Sequence, residues 1–180
     1  HALEVRAALP GDLWRQLSAH LPEHSLLIGL TSIHWREAWK YGERAYRYCQ
    51  HDVGHALAAI SFAAAGLGWK ARLLDEPGTE ELSALMGVFA PADAEPEHPD
   101  CLVAVFPETE VIAEPALDPV PVETLHALLW EGRPNRLSPA QVDWRWVEAA
   151  SMAAAKPRTP ARTGDSQIAR FLRDEPAQPL

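Results

Sequence analysis

The stretch RAYRYCQHDVGHALAAISFAAAGL, residues 44–67, decides the architecture. No proline interrupts it, and Ala45, Cys49, Val53, Ala56, Leu57, Ile60, Ala64 and Leu67 recur three and four apart, the spacing that puts side chains on one helix face. One long helix is therefore expected. Its second half, ALAAISFAAAGLG, is almost wholly small and apolar, which lets other elements approach closely and predicts burial on most sides. That makes it the central helix of a domain.

Working outward, the apolar run Ser25–Ile33 is short enough to read as a buried strand, and Lys70–Leu74, just after the Gly66-Leu67-Gly68 helix end, reads as another. Thr79–Met86 has the pattern of a two-turn helix capped by Thr79. Residues 89–100, FAPADAEPEHPD, read as an exposed, solvated loop before the apolar core strand Cys101–Phe106. A proline-rich stretch, Glu114–Pro121, precedes two amphipathic helical patterns, Val122–Trp130 and Ser138–Ala155, the second opened by Ser138-Pro139. At the start, Leu3 and Val5 alternate with polar neighbours as in a short strand, and Leu13, Leu17 and Leu21 mark a short helix. Residues 1–156 thus form one α+β domain of three or four strands with helices. Residues 157–180 read as a linker or tail with one helical turn, Gln167–Arg173.

A chain of 180 residues, 47% hydrophobic and with a formal net charge of −9, fits one globular domain. The acidic balance argues against nucleic acid or an anionic membrane as partner, since both are met with a basic field. No apolar run reaches the length of a membrane span and no signal peptide is evident, so a cytoplasmic location is expected. The chain starts on His1 in mid-pattern, which suggests a piece of a longer protein. Cys49 and Cys101 lie far apart without metal-ligand spacing, and each reads as a buried thiol.

Two segments could carry chemistry. His51-Asp52-Val53-Gly54-His55 places two imidazoles four apart with a carboxylate between, similar to the zinc-protease HExxH arrangement. Asp is one methylene shorter than Glu, a glycine sits inside the motif and no third ligand follows, so no metal is expected there. The second segment, Trp35–Tyr48, mixes rings with Arg36, Lys40, Arg44 and Arg47. It could hold a planar ligand, neutralise a phosphate and use Lys40 or Tyr41 as a proton carrier, or it could be aromatic packing with solvated ion pairs.

The pattern RxxxKYGxRAYRY, followed by a GHA-containing helix ending in GLG, resembles the later part of the nitroreductase-like SagB-type dehydrogenase (oxidase) domain, from about Leu26 to Val88 and more loosely through WEGRPNRLS at Trp130–Ser138. The resemblance implies a mainly antiparallel sheet packed by helices around one long helix, bound FMN, and a homodimer. It implies oxidation of a peptide-derived azoline or related small substrate, with Lys40 and Tyr41 as the catalytic pair. Arg36, Arg44, Leu73 and Leu74 are the cofactor-binding positions it suggests. Aromatising an azoline removes a hydride equivalent and a proton, so a base is required, and Lys40 can serve only with a depressed pKa. Arg36 and Arg44 and partial desolvation are expected to depress it, with Tyr41 orienting substrate or relaying the proton. The family's arginine-rich phosphate segment and the serine-rich stretch after it are not found here, and are expected to precede His1. The alternative is a flavin-free, noncatalytic domain of the same fold that serves dimerisation or peptide binding. Gly54 is expected to admit a close-packed helix or dimer partner.

Overall fold

The structure, a computed structural model, describes residues 3–89, 95–109, 115–132, 135–137, 142 and 144–160. Three strands form one antiparallel sheet: β1 (Leu26–Ser32), β2 (Trp69–Leu74) and β3 (His98–Pro107), in the order β1-β3-β2. β3 is central, and its alternation divides the core in two. Leu102, Ala104 and Phe106 join Leu74 on one face, beneath α1 (Gly11–Leu17), α4 (Thr79–Met86) and α5 (Val122–His126). Val103 and Val105 face the long helix α3 (Ala45–Gly66), with Ile28, Leu57, Ile60 and Trp69 around them. Two further helices, α2 (His34–Tyr41) and α6 (Arg145–Ala154), pack at the α3 N-terminus through Ala38, Ala45 and Val147. The α+β class and the antiparallel sheet are as expected. Among the described residues no helix is long and apolar enough to cross a membrane.

Several sequence expectations need correction. Leu3 and Val5 are exposed and lie in no strand, because that segment touches the domain through Arg6, whose carbonyl accepts from the Glu131 amide at 2.7 Å. β1 is an edge strand with an exposed Leu26, and so is less buried than its apolar run suggests. Helix α3 has the expected length but not the expected burial: Ala45, Cys49 and Ala64 are enclosed, whereas Phe62 and Leu67 are 80% and 77% exposed. The sheet covers one stripe of it and α2 and α6 cover its N-terminal end, while the side with Phe62 and Leu67 stays open among the described residues. A Cβ on Gly54 would stand in open space, so close packing within the chain does not explain that glycine.

Toward the C-terminus, β3 begins at His98 rather than Cys101, and α5 ends at His126 rather than Trp130. Helix α6 begins at Arg145; Ser138-Pro139, read as its start, lies outside the described residues, as does the turn 167–173. Gly78 rather than Thr79 caps α4, its amide donating to the Glu81 carboxylate at 2.9 Å. Beyond the boundary drawn at residue 156, Arg158 pairs with Glu81 at 3.0 Å and the Thr159 amide donates to the Glu76 carbonyl at 2.9 Å. Pro157–Pro160 therefore run along the domain surface.

Candidate functional site

Helix α2 begins at the end of β1, and the corner Gly42–Arg44 turns it into α3. Gly42 has φ +58°, a conformation that costs a side-chain-bearing residue, and a Cβ there would meet the Trp144 ring at 3.3 Å. That corner carries the expected pair. The Lys40 ammonium stands 4.8 Å from the Tyr41 ring centroid, and Tyr41 packs on Tyr48 at 4.6 Å. Lys40 and Arg44 are exposed, with Tyr41 partly so. The Lys40 pKa is raised, chiefly by its interaction with the neighbouring Tyr41 side chain. The expectation of a depressed value is thus reversed: open to solvent, Lys40 keeps its proton at neutral pH.

The four expected cofactor positions are not brought together. Arg36 donates from Nε to Glu95 at 2.7 Å and from a terminal nitrogen to Asn135. Glu95, expected in a solvated loop, is instead 5% exposed and also accepts from the Leu137 amide at 2.7 Å. Arg36 is therefore an anchor for two loops rather than a free cation. Arg44 alone of the two arginines stands open beside Lys40 and Tyr41. On β2, Leu73 is 52% exposed, whereas Leu74 lies in the core at 4%.

His51 and His55 sit on the exposed side of α3, with His55 leaning on Asp52 at 3.5 Å. Among the described residues no group of three His, Cys, Asp or Glu side chains is arranged to hold a metal ion.

A second polar centre was not foreseen. His34 stacks on His98 at 4.5 Å and meets Tyr46 edge-on at 5.2 Å. His98 Nδ1 and the Ser151 hydroxyl lie 3.0 Å apart, and His98 Nε2 is 3.7 Å from the Glu148 carboxylate. A bulge in β3, where the pairing with β1 skips Asp100, turns that carboxylate toward Ser32 at 2.6 Å and Gln50 at 3.2 Å. Burial raises the Asp100 pKa against these hydrogen bonds, and burial pushes His34 down to about 4 with help from His98. All of these but Ser32 line a cavity of about 350 Å³. They come from α2, α3, β3 and α6, so no local spacing in the sequence could have announced them. Comparison with protein-family models, with curated proteins and with solved structures finds no match.

Proposed function

We propose that the chain is an FMN-dependent oxidoreductase domain of the nitroreductase-like class, acting as a homodimer on a small or peptide-derived substrate such as an azoline. The observation that carries this reading is the solvent-facing Lys40–Tyr41 pair, an ammonium 4.8 Å from a phenol ring that packs on Tyr48. The fit to FMN is one-sided. Tyr41 and Tyr48 offer an aromatic wall and Arg44 a cation for the phosphate, while Arg36 is held by Glu95 and Leu74 is in the core. FMN, when bound, supplies the two-electron acceptor.

The chain's own residues handle the proton. As it stands, Lys40 is a charged donor that can orient a substrate carbonyl or ring nitrogen, and Tyr41 fixes its position. A surface that covered Lys40 would strip its water and favour the neutral amine, which is the form a base requires. Exposed Phe62 and Leu67 at the C-terminal end of α3 support a second copy packing on that helix.

An absorption spectrum of the purified chain with added FMN, followed by gel filtration, is the test. Flavin peaks that co-elute with a dimer are expected, and Lys40→Met should keep the flavin and lose turnover. A chain that takes up no FMN overturns the reading. It would favour the flavin-free dimerisation or peptide-binding domain, a reading supported by the engagement of Arg36 with Glu95.

A further inference from the structure

A hydroxyl, an imidazole and a carboxylate stand in line where β3 meets α6. The Ser151 hydroxyl lies 3.0 Å from His98 Nδ1, and across the ring His98 Nε2 lies 3.7 Å from a Glu148 carboxylate oxygen. A carboxylate beside Nε2 favours the tautomer that carries its proton there, which leaves Nδ1 as the acceptor for the serine hydroxyl. His34 stacks on His98 at 4.5 Å and holds the ring plane, and burial keeps His34 neutral at pH 7, so it sets no positive charge against an imidazolium at His98. Asp100 adds a favourable charge interaction with His98.

All three residues line the cavity of about 350 Å³. From α6 and its end the lining residues include Glu148, Ser151, Met152 and Ala155, whose spacing of three and four marks one helix face, so that wall is made by their side chains. The side chains of His98 and Glu148 are 22% and 53% exposed and Ser151 is half-buried, which leaves the line of groups open to a small molecule. Leu82, Pro99 and Met152 make part of the wall apolar, and the Asp100 and Glu148 carboxylates disfavour an anion. The Lys156 ammonium, also at the wall, is already held by the Asp75 carbonyl and the Thr159 hydroxyl. An ester with a short, uncharged acyl group is the class that fits.

We propose that Ser151 and His98 form an acyl-transfer site for such esters, with Glu148 as the positioning residue. Ser151 Oγ attacks the ester carbonyl carbon while His98 Nδ1 takes the hydroxyl proton; the bond to the alcohol oxygen breaks, and that oxygen receives the proton from His98. The acyl group stays on Ser151 until water, deprotonated by the same nitrogen, releases it as the carboxylic acid. The site is separate from the Lys40–Tyr41 pair and does not rest on the flavin reading. Treating the full chain with p-nitrophenyl acetate, an activated ester of this class, tests it. The chain should release p-nitrophenolate and carry an acetyl group on Ser151 by peptide mass spectrometry. Ser151→Ala should lose that adduct, and His98→Gln should slow p-nitrophenolate release about hundredfold. Glu148→Gln should lower kcat at an unchanged KM and an unchanged unfolding midpoint. No acetylation of Ser151, equal acetylation of Ser151 in the urea-unfolded chain, or the full rate in Ser151→Ala overturns the proposal. If His98→Gln does not fold, the comparison of native with urea-unfolded wild-type chain still decides.

Discussion

Replacing Glu95 by alanine is expected to be among the costlier single changes outside the apolar core. The carboxylate side chain is 3% exposed and accepts two short hydrogen bonds, from Arg36 Nε and from the Leu137 amide, each at 2.7 Å. Hydrogen bonds to a charged group contribute about 1.5–3 kcal/mol each, and breaking a fully buried ion pair costs about 3–5 kcal/mol. Arg36 is 27% exposed and keeps its bonds to Asn135, so water can partly solvate the orphaned guanidinium. A loss near the lower bound, about 3 kcal/mol, follows. With a urea slope of about 2 kcal/mol per molar, the unfolding midpoint should fall by about 1.5 M. Glu95→Gln keeps an acceptor for Leu137 and loses the charge, and should cost about half as much. Arg36→Ala should destabilise the chain to a similar degree with or without FMN. A midpoint within 0.25 M of wild type for Glu95→Ala, corresponding to about 0.5 kcal/mol, would refute the reasoning and return Arg36 to the list of available cations.

Other outcomes follow from local geometry. Gly87 has φ +63° and its missing Cβ would lie 2.1 Å from the Trp130 ring, so Gly87→Ala should displace that indole from its 2.9 Å bond to the Leu125 carbonyl; an unchanged fluorescence maximum and an unchanged midpoint would contradict this. Stability should fall as pH drops from 6.5 toward 4, because the unfolded chain protonates His34 over that window while the folded chain resists until about 4. Asp100 opposes this from 3.8 upward, since its raised folded pKa binds a proton first in the native state, so the comparison to make is the pH slope of wild type against His34→Phe. Cys49 and Cys101 are both pushed up to about 11, mainly by burial, and should react slowly with a disulfide reagent at pH 8 until urea exposes them; rapid labelling of the native chain would count against that burial.

What the sequence discloses is what one element can state by itself. The alternation Leu102-Val103-Ala104-Val105-Phe106 separates two faces whatever packs on them, and the prolineless run from Arg44 fixes a helix within a residue of its observed ends. Lys40, Tyr41 and Tyr48 meet because one tight corner joins their helices, and that too is local. Burial of a charged residue is a different matter. Glu95, in an acidic proline-rich stretch, has every local mark of a solvated loop, and it is buried because Arg36 and the Leu137 amide converge on it from other parts of the chain. His34, His98, Trp144 and Glu148 likewise acquire meaning once α2, β3 and α6 share one corner.

The two reversals, at the open C-terminal half of α3 and at Lys40 beside its N-terminus, both bear on what covers the helix. The small apolar second half of α3 predicts neighbours on most sides, and a depressed Lys40 pKa presupposes a surface that excludes water. The described chain covers α3 with the sheet along one stripe and with α2 and α6 at its N-terminus, leaving Phe62 and Leu67 open and Lys40 solvated and protonated. A surface over the N-terminal corner would desolvate Lys40 and one over Phe62 and Leu67 would bury the other end of the helix, so a single contact does both only if it runs the length of α3. If a second copy is that surface, the amine reactivity of Lys40 at fixed pH should rise with protein concentration in step with dimer formation. If Lys40 reactivity is independent of concentration while the chain dimerises, the dimer lies elsewhere and Lys40 is a binding cation rather than a base.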